Sequence, residues 1–172
     1  KPDTDIAEGV APSNPYLGVM LPYTPLHVIL SSRAGAPLVA TSGNLTDEPI
    51  CTRNEEAMER LKDVADLFLL HTRPITRHVD DSVTRVVMGK EMIIRRARGY
   101  APLPIRYSRE LPRVLGVGGH LKNTIGMSLG KDVFLSQHIG DLETLEAQEA
   151  FLQTVRDFTR LLDYRPQAVS CD

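Results

Sequence analysis

One proline-spaced stretch, Gly99-Tyr100-Ala101-Pro102-Leu103-Pro104, followed soon by Pro112, constrains this chain more than any other feature. Proline fixes φ and has no N–H to donate, so neither a helix nor a central strand runs through such a segment. The spacing predicts extended, polyproline-like backbone and a domain boundary over 99–112. It separates a first domain over 1–98 from a second over 113–172. Before it, apolar runs that read as strands alternate with helical periodicity. After it, the order reads strand, hairpin, helix, strand. Both halves point to an α/β or α+β class.

In the first half, Leu26 to Ser31 is apolar at helical spacing behind Pro25, a residue favoured in a first turn. Pro37-Leu38-Val39-Ala40-Thr41 reads as a buried strand broken by Ser42-Gly43-Asn44. A helix capped by Thr52 or Asn54 is expected to run to about Phe68, with Met58, Leu61, Val64 and Ala65 on one face. Strands are expected at Leu67 to His71, Val83 to Met88 and Met92 to Arg96, the last two joined by a turn at Gly89-Lys90-Glu91. In the second half, a strand at Val114 to Val117 precedes a hairpin of Thr124 to Leu129 with Val133 to Ser136. A helix is expected from Asp141, with Leu145, Leu152, Val155, Phe158, Leu161 and Leu162 as its buried stripe.

The 20 basic and 22 acidic groups leave a net charge of −2, which excludes a polyanion binder acting through bulk charge but not a local basic pocket. No apolar run approaches the roughly 20 residues that a bilayer span needs, so no membrane partner is expected. Two cysteines, Cys51 and Cys171, are too few for a disulfide framework or a zinc knuckle. A cytoplasmic setting is the expectation. Cys51 has no base nearby in sequence and reads as a buried or edge thiol. The chain opens on Lys1, with Pro2, Pro12 and Pro15 close behind. It closes on a strand at Ala168 to Cys171 with no partner in view. It therefore reads as an interior piece of a longer protein.

Five clusters can carry chemistry. Thr41-Ser42-Gly43-Asn44 follows an apolar strand, where open α/β sheets bind ligands, although the same residues also make ordinary turns. Arg77-His78-Val79-Asp80-Asp81-Ser82 pairs carboxylates with arginine, suited to Mg²⁺ and polyphosphate or else to a solvated loop. Arg95-Arg96-Ala97-Arg98 concentrates guanidinium groups, which match phosphate and carboxylate bidentately. Nucleic acid competes as their partner, but the stretch from Arg85 to Arg113 lacks interleaved aromatic residues, and a small anion is preferred. Gly116 to Asn123 lacks the spacing of a P-loop or dinucleotide fingerprint, yet a glycine turn before Lys122 and Asn123 suits a phosphate cradle. In Ser136-Gln137-His138-Ile139-Gly140-Asp141, Asp141 reads as a helix cap. His138 with Asp141 is also a candidate metal pair, two ligands short of a site.

Taken in order, several segments resemble the nickel–iron hydrogenase maturation carbamoyltransferases, the HypF family. They are LPYTPLH at 21–27, ATSGN at 40–44, DDSV at 80–83, IRRARGYAP at 94–102, LKNT at 121–124 and SQHIGDL at 136–142. The resemblance runs from about Leu17 onward. It implies the later part of a YrdC-like twisted mixed sheet with helices, then the beginning of an actin-like (ASKHA) domain. The family's acylphosphatase domain and its zinc would lie outside this chain.

The activity implied has two stages. Carbamate from carbamoyl phosphate reacts with ATP, with Mg²⁺, to give carbamoyl adenylate and pyrophosphate. The carbamoyl group then passes to the carboxyl-terminal cysteine of the partner HypE, where it becomes a cyanide ligand. On this reading Arg95 and Ser42 are catalytic. Thr41, Ser42, Asn44, Arg77, Ser82, Arg95, Lys122 and Asn123 bind nucleotide, and a metal in the last domain falls to His138 and Asp141. Hydroxyls and an amide at one strand tip and a guanidinium from a neighbouring strand must then converge on one pocket. This piece alone is not expected to be active. The alternatives are a threonylcarbamoyl-AMP synthase-like tRNA-modification enzyme, against which TSGN in place of SAN argues, and a noncatalytic nucleotide- or RNA-binding module.

Overall fold

A computed structural model describes residues 6–46 and 48–172. Lys1 and Pro2, part of the N-terminal expectation, lie outside the described residues. The chain forms two compact units, Lys1–Thr41 and Ser42–Asp172. The architecture is mixed α/β, with three α-helices and two sheets among the described residues.

The first unit holds a short 3₁₀ turn, Glu8–Val10, and helix α1, Pro25–Ala34. Thr24 caps α1 by accepting the His27 N–H at 3.2 Å, and Pro25 occupies the first turn, where its missing N–H costs nothing. Gly35 ends the helix at φ 63°, a left-handed C-cap that a Cβ would disfavour. The expected strand at Pro37 to Thr41 does not form, and Leu38 and Val39 are exposed. An apolar run makes a strand only where a neighbouring backbone takes its hydrogen bonds.

The second unit opens with helix α2, Asn54–Arg60, far shorter than the helix expected to Phe68. Val64 is exposed, and Leu67 to His71 is not a strand. Strands β1, Val83–Val87, and β2, Lys90–Arg95, form the antiparallel hairpin the sequence predicts, turning through Met88 and Gly89.

The proline-rich segment is not extended. Arg96 reaches the carbonyls of Tyr100 at 3.1 Å and Leu103 at 2.8 Å, and the Tyr100 and Ala101 N–H groups return to Ala97 O. Local hydrogen bonds thus fold it into turns. Ile105–Leu111, inside the expected linker, is strand β3.

Strand β3 belongs to a four-stranded sheet of order β3-β5-β4-β6, with β4 Val114–Gly118, β5 Thr124–Leu135 and β6 Ala168–Ser170. A straight strand of this length would hold its ends roughly 35 Å apart at about 3.3 Å per residue. Yet the Ser136 N–H donates to Ile125 O at 2.9 Å. Strand β5 therefore doubles back, reversing at Gly130 with φ 63°, and this is the predicted hairpin. Strand β6 has a partner after all: it runs parallel to β4, pairing Val169 with Leu115.

Helix α3, Leu145–Leu161, covers the sheet. Its cap is Thr144, which accepts the Ala147 N–H at 3.2 Å, and not Asp141 as expected. Its buried face is Ala147, Thr154 and Phe158, with Phe151, Val155 and Leu162 packed alongside. The expected stripe residues Leu145, Leu152 and Leu161 are exposed. Ile125, Met127 and Leu115 of the sheet meet Phe158 and Tyr164 in the core. Burying each large side chain contributes about 1.5–3 kcal/mol.

Candidate functional site

Two segments distant in sequence are joined near the end of β2. The His138 N–H, just beyond β5, donates to Arg96 O at 3.1 Å. This bond brings Ile139-Gly140-Asp141 to the side of the sheet hairpin that carries Arg95. Between them lies a cavity of about 220 Å³ lined by Ser42, Asn44 and Glu48, by His78, Asp80 and Arg95, and by Lys122 and Asp141. Pro49, Ile50, Ile139 and Ala147 supply its apolar wall. Ser42 and Arg95 thus both line one pocket.

Each polar group is held by its own local chemistry. The Asn44 amide Nδ2 donates to Leu45 O at 2.8 Å and Glu48 O at 3.0 Å, closing the loop that follows Ser42. Its Oδ1 is buried without a partner among the described residues. Glu48 pairs with Arg60 of α2, which also holds Glu56 at 2.6 Å. Arg95 lies 3.9 Å from Asp80 and is about half exposed, leaving its guanidinium a face toward the cavity.

Lys122 adopts a left-handed φ of 54°. Its backbone N–H donates to Asp141 Oδ1 at 2.6 Å, and its Nζ lies 3.2 Å from Asp141 Oδ2. These bonds hold the Asp141 carboxyl below the usual carboxylate range.

His78 is buried, and its Nε2 has no partner among the described residues. Burial pushes its pKa down, opposed by the nearby Asp80 carboxylate and reinforced by His138. His138 is pushed down for the same first reason, with Asp80 opposing. Both imidazoles are therefore biased toward the neutral form.

The remaining predicted residues stand elsewhere. Thr41 closes the first unit and is exposed. Arg77 turns to α3, 3.7 Å from Asp157 and 5.9 Å from the Phe158 ring centroid, and lines a second, larger cleft of about 530 Å³ between α2 and α3. The Ser82 hydroxyl accepts the Ala97 N–H and donates to Arg98 O, each at 2.8 Å, which pins the start of β1 to the chain beyond β2. Asn123 donates to Gly118 O at 2.9 Å and Gly119 O at 2.6 Å, bracing the glycine turn from a buried position. Cys51 is half-buried, and its thiol is pushed up by burial and by Glu56, away from a nucleophile's range.

Glu48 and His78 are the lining groups that sequence reasoning passed over. His78 lay within a cluster already marked, but a lone histidine carries no pattern. Among the described residues, no group of three or more His, Cys, Asp or Glu side chains is placed to hold a metal ion. Asp141 is engaged by Lys122, and Asp80 faces Arg95, so the donor set does not fit a metal on its own.

Residues 1–97 match the sequence family described as "Telomere recombination", and residues 109–172 match the "HypF Kae1-like domain". A carbamoyltransferase HypF from Synechocystis sp. is 45% identical over 97% of this chain and 22% of that protein. A crystal structure of full-length HypF in a phosphate- and nucleotide-bound form superposes with a TM-score of 0.86 and 48% identity, over 91% of this chain and 25% of that one. HypF of T. kodakarensis superposes with a TM-score of 0.89 and 41% identity, over 96% of this chain and 22% of that one. The chain spans about a fifth of the length of the curated relatives it matches. With its YrdC-like and Kae1-like stretches in the order its relatives carry them, the chain belongs to the HypF family.

Proposed function

We propose that this chain supplies part of an ATP-dependent carbamoyltransferase of nickel–iron hydrogenase maturation. In this reading, carbamate from carbamoyl phosphate attacks the α-phosphorus of ATP, and pyrophosphate leaves. The carbamoyl group of the resulting adenylate then passes to the carboxyl-terminal cysteine of HypE, releasing AMP. The single observation that carries the reading is the shared cavity of Ser42, Asn44, Arg95 and Lys122. The names of the relatives, carbamoyltransferases, and the phosphate- and nucleotide-bound state of one solved HypF support it.

The roles follow from the chemistry of the groups. Arg95 offsets negative charge that builds on the phosphoryl oxygens as pyrophosphate departs. Lys122, oriented by Asp141, offers a second cation across the cavity. Ser42 and Asn44 offer neutral hydrogen bonds that fix the acyl end. Carbamate decomposes readily in water, so a recess that positions it beside the phosphate shortens its exposure. Mg²⁺ would arrive with the ATP phosphates, and no step here runs through a metal held by protein side chains.

A small-molecule ligand is favoured over nucleic acid because three arginines of the basic stretch are turned to partners within the chain. Arg98 pairs with Asp81, Arg106 with Asp132, and Arg96 with backbone carbonyls. The test uses the full-length protein. It should convert ATP to AMP and pyrophosphate only when carbamoyl phosphate is present. Release of ADP, or pyrophosphate release that depends on threonine, would overturn the reading.

A further inference from the structure

The recess lies on a seam. Its polar wall includes Ser42, Asp80 and Arg95 from the YrdC-like stretch, residues 1–97, and Lys122 and Asp141 from the Kae1-like stretch, residues 109–172. Each stretch brings one cation beside one carboxylate. Arg95 lies 3.9 Å from Asp80, and Lys122 Nζ lies 3.2 Å from Asp141 Oδ2. Both cations stay open to solvent, the Arg95 side chain 45% exposed and that of Lys122 77% exposed. Each keeps donors beyond those its carboxylate takes. The two pairs are neighbours in space, because one imidazole feels all four groups. Burial lowers the His138 pKa most, Arg95 and Lys122 lower it further, and Asp80 and Asp141 oppose them.

The seam is lightly fastened. The His138 N–H of the later stretch donates to Arg96 O of the earlier one at 3.1 Å. Arg77 stands 3.7 Å from Asp157, beyond hydrogen-bond length. Joints of this kind open locally more readily than a packed sheet does.

We propose that a phosphate group in the recess bridges Arg95 and Lys122, so that filling the recess fastens the Kae1-like stretch to the YrdC-like stretch. The link rests on the nucleotide reading above and adds to it what occupancy does to the protein. A guanidinium and an ammonium, one from each stretch, can both donate to a single dianion, and charge-assisted bonds of this kind are the strong ones. A ligand that needs both sides binds only the joined seam, and it shifts the opening equilibrium by that difference in affinity. Occupancy thereby orders the segment that carries Lys122 and Asp141.

The test follows hydrogen exchange in the full-length protein, resolved to single amides, without AMP and with AMP at about 100 times its Kd. Seam openings that release the ligand become rarer by up to about 100-fold at that concentration, so the His138 amide should exchange at least about 10-fold more slowly. The neighbouring Ile139 amide, bonded to Asn123 O at 2.8 Å within the Kae1-like stretch, should change little. Arg95→Ala and Lys122→Met, each given AMP at the same multiple of its own Kd, should lose the slowing at His138. AMP that binds the wild type without slowing His138, or slowing that survives either substitution, would overturn the link and leave the nucleotide reading standing. AMP that fails to bind the wild type would remove both. Should a variant not fold, adenosine decides in the wild type at equal occupancy. Lacking a phosphate, it should leave His138 unslowed, and slowing equal to that by AMP counts against the bridge.

Discussion

Asp141 holds Lys122 at both ends, taking its backbone N–H at 2.6 Å and its ammonium at 3.2 Å. The first bond stabilises a left-handed backbone that a lysine seldom adopts, and the second aims the ammonium. Asp141→Asn keeps an acceptor and loses the charge. Because the folded carboxyl titrates below its ordinary value, its contribution is present above the unfolded pKa and disappears as pH falls through the folded one. Denaturation midpoints measured across the acid range should show the wild type ahead of Asp141→Asn near neutrality, with the gap closing in acid.

The two histidines work in the same direction through a different cause. Burial lowers both, so the fold favours their neutral forms. Their contribution is full above about pH 6.5, the ordinary imidazole value, and is lost as pH falls through the depressed folded values. Stability should therefore decline below pH 6.5. His138→Gln should flatten that decline, read as the difference in urea midpoints between pH 7.5 and 5.5.

Arg95→Ala should weaken nucleotide binding roughly 10- to 100-fold, the scale of a lost charge-assisted contact, with little change in melting temperature because Arg95 is half exposed. Equilibrium binding of AMP beside thermal unfolding would check both halves.

Ser82→Ala separates a structural role from a ligand role. Its hydroxyl makes two 2.8 Å bonds to the Ala97–Arg98 backbone. The expected outcome is a stability loss of about 1–2 kcal/mol, with AMP affinity reduced no more than stability accounts for. Lost affinity at unchanged stability would return Ser82 to the phosphate.

Asn123→Ala releases two carbonyls of the Gly118-Gly119 turn and should cost about 1–3 kcal/mol. Chemical denaturation gives the value. Gly119→Ala should also destabilise, since Gly119 sits at φ 74° and an added Cβ would lie 3.3 Å from Leu121 O.

Much of this was legible beforehand where the signal is local. The β1–β2 hairpin, the reversal within β5, α1 behind Pro25 and the amphipathic α3 each follow from spacing and turn residues within a short window. The gathering of Ser42, Asn44, Arg95, Lys122 and Asp141 was readable only as motifs, with no way of knowing that Arg77, Ser82 and Asn123 would turn to structural bonds. A hydroxyl or amide in a promising motif looks the same whether it meets a ligand or a backbone carbonyl.

Residue order alone determined the mixed α/β class, the hairpins and the family, because periodicity, turn chemistry and motif spacing are properties of neighbours along the chain. Only the tertiary structure decided that Pro37 to Thr41 has no strand partner, that β6 lies against β4, that the proline segment coils around Arg96, and that His78 lines the recess. Those outcomes depend on which distant backbone or side chain arrives to take a hydrogen bond, and that competition is settled by packing the whole unit at once.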